Sequence, residues 1–246
     1  MSTKGVMVVT GGSRGIGAAV SILAAKHGFD VCINYKSNAE RALEVAGIVE
    51  SHGRKAMVHQ ADVADEADIV AMFAAVDQKL GRVTALVNSG GVNGSIGRVD
   101  QMTGADIRNV FQTNVDGTFI CCREALLRMS TKNGGHGGSI VNLSSAAARL
   151  GAAGRNIHYA ASKRAVEALT FGLAQEVAAE GVRVNAVSPG MIDTEIHDPI
   201  RLAAMAPKLP MGRPGTADEV ANSVLWLISE EAAYVSGTVL DVSGAR

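Results

Sequence analysis

About seven short runs rich in Val and Ile lie along this chain, and none of them alternates apolar with polar residues. A strand that is apolar on both sides needs cover on both faces, which is the condition inside a parallel sheet flanked by helices. The runs fall at 6–10, 30–34, 55–60, 85–88, 139–143, 183–187 and 238–242. Helical periodicity fills 16–27, 39–51, 66–80, 104–129, a stretch carrying Tyr159 and Lys163 that ends near 179, and 217–228. Alternation at this spacing requires right-handed crossovers between parallel strands. It predicts an α/β fold: a doubly wound parallel sheet of about seven strands flanked by helices, in a single domain spanning 1–246. Segment 191–214 has no clear period and reads as a flap able to close over a ligand.

The chain has 246 residues, of which 47% are hydrophobic and 19% charged, and a formal net charge of −1. That is ample material for a core. With no basic or acidic block, neither nucleic acid nor a membrane surface is expected as partner. No apolar run approaches the roughly 20 residues that a bilayer helix needs. After Met1-Ser2-Thr3-Lys4 the first strand begins too soon for a signal peptide. The three cysteines, Cys32, Cys121 and Cys122, fit neither a disulfide framework nor a metal site. They read as small core residues of a cytoplasmic protein.

Between the first strand and the first helix stands Thr10-Gly-Gly-Ser-Arg-Gly-Ile-Gly17. Glycines at 11, 15 and 17 permit a tight turn, close backbone approach to a phosphate and close helix–strand packing. The helix N-terminus offers free N–H groups and positive potential to a pyrophosphate. Gly11, Ser13, Arg14, Gly15, Ile16 and Gly17 are therefore candidate dinucleotide contacts. The second strand ends at Asn34-Tyr35-Lys36-Ser37, without the Asp or Glu that would hold the ribose 2′-hydroxyl of NAD. Arg14, Lys36 and Ser37 suit a 2′-phosphate, so NADP is the expected cofactor, with NAD as a second option.

Tyr159 and Lys163 stand four residues apart on a helical stretch, so their side chains share one face. A free tyrosine titrates near pH ~10 and is a poor acid or base at neutrality. Two unit charges ~4 Å apart at an effective dielectric of ~20 interact by ~4 kcal/mol. That is up to ~3 pKa units, so the ammonium is expected to bring the phenol towards neutral pH, where general acid–base catalysis works best. Ser145 is placed to hydrogen-bond the oxygen of a reacting alcohol or ketone. The pair alone is more simply read as a half-buried tyrosine beside a surface lysine, and the motifs around it are what reverse that reading.

Those motifs, taken in order, resemble the short-chain dehydrogenases/reductases over essentially the whole chain. Thr10–Gly17 is similar to the family's cofactor loop. Asp62-Val63 matches its adenine-bracketing pair, and Asn88-Ser-Gly-Gly91 its Asn-Asn-Ala-Gly segment. Asn114 matches the asparagine of a helix kink that serves a proton relay. Asn142-Leu-Ser-Ser145 resembles the segment of the catalytic serine, with Ser144 as a fallback. Tyr159-x-x-x-Lys163 resembles the acid/base pair, and Ser188-Pro189-Gly190, with Ile192 and Thr194, the segment that grips the nicotinamide.

The resemblance implies a Rossmann-like fold and hydride transfer between a nicotinamide and a carbonyl or secondary alcohol. Asn114, Ser145, Tyr159 and Lys163 would be catalytic. The glycine loop, Asn34, Tyr35, Lys36, Ser37, Asp62, Val63, Asn88, Gly90, Gly91, Tyr159, Lys163, Pro189, Gly190, Ile192 and Thr194 would hold the cofactor. It also implies a homotetramer or homodimer. Ser89-Gly90 departs from the usual Asn-Ala, and the gap from Ser145 to Tyr159 is one residue longer than in many members. Asn93, Asn156 and Met191 are expected to face substrate, with Arg149, His158 and His197 adding polar character suited to a small ketone, sugar or polyol. A Ser–Lys hydrolase is disfavoured because no Gly-x-Ser-x-Gly elbow is present. A nicotinamide-binding regulatory or scaffold protein without turnover stays open as the alternative.

Overall fold

The structure, a computed structural model, describes residues 3–195 and 199–246. Its chain order begins β1 (Gly5–Thr10), α1 (Gly15–Lys26), β2 (Phe29–Tyr35), α2 (Ala39–Ser51), β3 (Ala56–Gln60), α3 (Glu66–Lys79) and β4 (Val83–Asn88). It continues with α4 (Gly104–Phe111), α5 (Gly117–Met129), β5 (Gly138–Leu143), α6 (Ala147–Leu150), α7 (Ile157–Val177) and β6 (Val182–Pro189). Last come β7 (Ile192–Asp193), α8 (Pro199–Met205), β8 (Gly215–Thr216), α9 (Ala217–Ile228) and β9 (Val239–Val242). The seven long strands form one sheet in the order β3-β2-β1-β4-β5-β6-β9, every pair parallel. The expected Rossmann-like doubly wound sheet is present.

Successive strand residues point to opposite faces, and the core divides accordingly. Met7, Val9, Val31, Ile33, Ala85 and Val87 face one layer, where they meet α1, α2 and α9 through residues such as Val20, Val45 and Val224. Val6, Val8, Cys32 and Leu86 face the other, against Ile69 and Phe73 of α3, Cys121 and Cys122 of α5, and Leu169 of α7. This two-sided burial explains the unbroken Val/Ile runs. Among the described residues no helix is long and apolar enough to cross a membrane.

Strand order reverses beside β1: β2 lies on one side and β4 on the other. Connections leave a sheet in opposite directions at such a point and open a crevice above the strand C-termini. Gly17 closes α1 onto the turn beneath that crevice. A Cβ there would sit 2.2 Å from the Gly11 carbonyl oxygen.

The stretch expected as one helix over 104–129 is broken by a π-turn at Gln112–Asp116, between α4 and α5. Single π-turns often mark functional segments. This one brings Gly117 against the β3–α3 loop so closely that a Cβ would lie 2.2 Å from the Val63 carbonyl oxygen. Segment 191–214, expected as an irregular flap, carries β7 and α8 and a small apolar cluster of Met191, Leu202 and Leu209. β6 also runs further than the proline and glycine signals indicated, because Pro189 still pairs with Val242 at the strand end.

The glycine packing gives a paired expectation. Gly17→Ala should cost ~2–3 kcal/mol through overpacking, a fall in Tm of about 4–10 °C for a chain of this size. Gly47→Ala, in the middle of α2 with nothing within 4 Å of a Cβ, should be neutral or stabilising by up to ~1 kcal/mol. Thermal melts of the two variants check this, and equal Tm values would refute it.

Candidate active site

Two clefts meet above the C-terminal ends of β1, β4, β5 and β6. One is lined by Gly11, Ser13, Arg14, Gly15, Ile16, Asn34, Tyr35, Lys36, Ser37, Asp62, Val63, Gly90 and Gly91. The other, of about 280 Å³, is lined by Asn93, Ser145, Asn156, Tyr159, Lys163, Pro189, Gly190, Met191, Ile192 and Thr194, with Ile16 and Gly91 again. Ile16, Gly91 and Thr194 border both. Residues scattered over the sequence thus converge on one continuous depression.

The glycine turn is a cradle for an anion. Gly11 and Gly15 have φ of +60° and +51°, values that favour glycine. Side chains cap the N-termini of α2, α3 and α9: Asn38 accepts from Arg41 N, Asp65 from Ala67 N, and Thr216 from Glu219 N. α1 has neither a side-chain cap nor an acidic residue in its first turn, so its amides face the cleft. Asn34 lines this cleft, but its amide is committed to the fold. Its Oδ1 accepts from Gly11 N (3.1 Å) and its Nδ2 donates to the Ala61 carbonyl (3.0 Å). It braces the turn from below. Lys36 and Asp62 pair at 2.6 Å. Burial raises the Asp62 carboxyl, but the bond from Lys36 and the Ala64 amide outweigh it and hold the group below the usual carboxylate range. These residues fit a dinucleotide: a backbone cradle that side chains would fill, open amides, and cations where β2 ends.

Loop 89–92 is fastened to the sheet from two sides. Ser89 N and Gly90 N both donate to Thr10 Oγ1, at 3.1 and 3.0 Å. Asn114, fully buried in the π-turn, accepts from Val92 N through Oδ1 (2.8 Å) and donates through Nδ2 to the Val92 carbonyl (2.9 Å) and Ser162 Oγ (3.0 Å). Its side chain splints the loop against α7, with no polar atom left over. Asn88, also buried, donates to Asn142 Oδ1 at 2.9 Å, and Asn142 donates to Thr170 Oγ1 at 3.0 Å. This ladder ties β4, β5 and α7 together directly under the site.

The two serines after β5 diverge. Ser144 is buried and donates to Glu167 Oε1 at 2.8 Å, while Glu167 also takes Arg164 Nη1 at 2.5 Å. Ser145 lines the cleft beside Tyr159, and its Oγ accepts from Ala147 N at 3.1 Å. The fallback serine is therefore an anchor, and Ser145 is the serine presented to a ligand.

Tyr159 and Lys163 share one face of α7, with the ammonium 5.8 Å from the centre of the phenol ring. The buried Lys163 donates to the Leu143 carbonyl at 2.7 Å. The expected acidification of the phenol is not what this geometry gives. Burial pushes the Tyr159 pKa up, with the Ser145 hydroxyl pulling the other way, and burial pushes Lys163 down from 10.5 to about 8. Attraction between an ammonium and a phenolate favours the ionised pair, but the desolvation of both groups outweighs it here.

Two of the residues expected to give the pocket polar character, Arg149 and His158, do not line it. Arg149 turns to Asp241 (2.9 Å) and to the Arg246 carbonyl. His158 is buried under Gly94, with both ring nitrogens lacking a partner. His197 lies outside the described residues. Sequence reasoning missed Thr10, Asn142 and Glu167, which act through long-range hydrogen bonds. It also missed Arg155, which lines the second cleft.

A family model described as enoyl-(acyl carrier protein) reductase matches residues 11–244. The uncharacterized oxidoreductase YgfF of Escherichia coli K12 is 48% identical over 98% of this chain and 99% of its own. A short-chain dehydrogenase/reductase of Serratia marcescens superposes with a TM-score of 0.92 at 31% identity, covering 99% of this chain and 98% of that one. A short-chain dehydrogenase of Burkholderia cenocepacia, solved in complex with NADP, gives a TM-score of 0.90 at 34% identity over 97% of this chain and 96% of that one. The chain belongs to the short-chain dehydrogenase/reductase family. It is an oxidoreductase of the kind that acts on CH–OH groups with a nicotinamide coenzyme.

The depressed Lys163 pKa has a thermodynamic signature. Between about pH 8 and the ordinary lysine range the unfolded chain binds more protons than the folded one, so stability gains with rising pH across that window. From pH 7.5 to 9.5 the native protein should gain about 1–2 kcal/mol relative to Lys163→Met. Urea midpoints of both proteins at the two pH values measure it. A constant difference between them would show that the ammonium is not desolvated.

Proposed function

We propose that residues 1–246 act as one NADP(H)-preferring oxidoreductase domain that interconverts a small carbonyl compound (a ketone, sugar or polyol-derived carbonyl) and its secondary alcohol. The observation that carries this reading is the convergence of Ser145, Tyr159 and the buried Lys163 on one cleft continuous with the glycine cradle. A bound nicotinamide supplies or accepts the hydride. Ser145 holds the substrate oxygen through its hydroxyl. Tyr159 exchanges the proton with that oxygen, and its raised pKa keeps it a neutral phenol at pH 7, the form that donates in the reducing direction. Lys163, with a pKa of about 8, is mostly protonated at neutral pH and holds the ribose side of the cofactor. Asn114 keeps loop 89–92 seated beside Lys163, and a water relay past it would run along the π-turn backbone.

Pyrophosphate binding falls to the amides of 13–17 and the Ser13 hydroxyl, with Gly11 supplying the tight turn. Asp62 and Val63 bracket the adenine, Asn88 and Gly90 support it, and Pro189, Gly190, Ile192 and Thr194 hold the nicotinamide. Preference for NADP rests on Arg14, Lys36 and Ser37 around the end of β2, where no acidic residue takes the place of a ribose ligand. The NADP complex of the Burkholderia relative supports the same choice. The three cysteines are free and buried, which suits a reducing cytoplasm.

Tyr159→Phe should reduce NADPH oxidation with a carbonyl panel by at least ~100-fold, while fluorescence titration gives an NADPH Kd within about twofold of the native value. In the same titration the native protein should bind NADPH at least ~10-fold more tightly than NADH, and Arg14→Ala should erase most of that difference. Substantial turnover by the Tyr159 variant would overturn the proton-transfer assignment.

We further propose a homotetramer or homodimer. Ile107, Phe119, Leu127 and Phe171 are exposed on α4, α5 and α7, and Trp226 and Tyr234 are exposed around α9, more apolar surface than a monomer usually leaves to water. Sedimentation velocity should give two or four times the monomer mass, and Phe119→Asp should shift it downward. A monomer at micromolar concentration would refute the assembly.

A further inference from the structure

The cleft beside Tyr159 has an unusual charge balance. Among its described lining residues there is no Asp and no Glu, whereas Lys163 and Arg155 line it; Arg246 borders it too, with its main-chain oxygen accepting from Arg149. Lys163 is already engaged by the Leu143 carbonyl. Neighbouring arginines are matched: Arg149 with Asp241 at 2.9 Å, Arg98 with Asp100 at 3.1 Å, and Arg164 with Glu167 at 2.5 Å. Arg155 has no carboxylate within ion-pair distance among the described residues, although it is only partly exposed.

Its position is set by the backbone. Arg155 lies in the loop between α6 and α7, where its N–H donates to the Ala152 carbonyl at 3.1 Å and its carbonyl accepts from Gly97 N at 2.7 Å. Next to it, Asn156 Nδ2 donates to the Asn93 carbonyl at 3.2 Å. Loops 93–97 and 151–156 are thereby stitched together across the cleft wall, and the Arg155 main chain is fixed beside the cleft that this residue lines. Leu150 and Ala152 add apolar surface to the same wall.

A planar fork of donors in a concave site without acidic residues is suited to an oxyanion. The volume of about 280 Å³, part of it bordered by the nicotinamide-side residues Pro189 and Gly190, restricts the ligand to a small molecule. We infer that Arg155 forms an anion subsite that selects short carbonyl substrates carrying a carboxylate or a phosphate. This rests on the reductase reading above and names the substrate class of that same site. The carbonyl lies at Ser145 and Tyr159, the aliphatic spacer runs along Leu150 and Ala152, and the oxyanion meets Arg155.

Two matched pairs test it: 3-oxobutanoate against its methyl ester, and dihydroxyacetone phosphate against dihydroxyacetone. NADPH oxidation is followed for native protein, Arg155→Met, Arg155→Lys and the surface control Arg98→Met. In the native protein and in Arg98→Met, kcat/KM for the anionic member of at least one pair should exceed that for its neutral partner by about 10- to 100-fold. The pair that shows it separates a carboxylate site from a phosphate site. Arg155→Met should bring the ratio to about one, and Arg155→Lys to an intermediate value.

Calorimetric titration of the same compounds into the NADPH-saturated protein reads the preference without turnover. Anion-selective binding lost in Arg155→Met but unaccompanied by NADPH oxidation refutes the reductase reading and leaves the subsite standing. Turnover or binding with no charge preference, a preference that survives Arg155→Met, or binding of neither anion overturns the subsite.

Discussion

Strand order in the sheet turns back on itself at β1, with β2 on one side and β4 on the other, and the rest of the molecule is arranged around that point. Helices α1 and α2 leave for one face while α3, α5 and α7 cover the other, so a crevice is left where no connection crosses. Everything chemically active hangs over its rim. The glycine turn closes it below, with Gly17 and Gly11 in contact that admits no side chain. The β4, β5 and β6 ends bring Asn88, Ser145 and Pro189 to the same level. Parallel strands make this economical, because every C-terminal end points the same way.

Polar residues inside the core are the second organising feature. Asn34, Asn88, Asn114, Asn142 and Ser144 are all buried, and each has partners. A buried amide without partners would cost several kcal/mol, so each of these side chains dictates where a neighbouring loop can sit. Asn34 fixes the glycine turn, Asn114 fixes loop 89–92, and the Asn88–Asn142–Thr170 ladder fixes α7 to the sheet. The site is preorganised by groups that never face a ligand. Glu167 extends the pattern by engaging the buried Ser144 hydroxyl and leaving that of Ser145 for a ligand.

Tyr159 and Lys163 illustrate how burial can reverse an argument from proximity. Each group alone in water would gain from the other's charge. Enclosed together at the base of the cleft, both lose solvation, and their pKa values are driven apart: up for the phenol, down to about 8 for the ammonium. The pair is held as a neutral acid beside a marginal cation.

Much of this was legible in the residue order. The unbroken Val/Ile runs, the helical spacing between them and the glycines after β1 determined the doubly wound sheet and the phosphate turn, because two-sided burial and positive φ leave a local imprint on residue choice. The Tyr159–Lys163 spacing likewise determined that the two share a helix face. Tertiary structure alone decided the rest: the π-turn that divides 104–129, the inward turn of Ser144, the commitment of Asn34 and Asn114 to bracing, the exclusion of Arg149 and His158 from the cleft, and the entry of Arg155 into it. Each depends on a partner dozens of residues away or on solvent being squeezed out between packed elements. Hydrogen-bond partners across a sheet and the dielectric around a phenol are properties of the assembled chain, and no local pattern of residues encodes them.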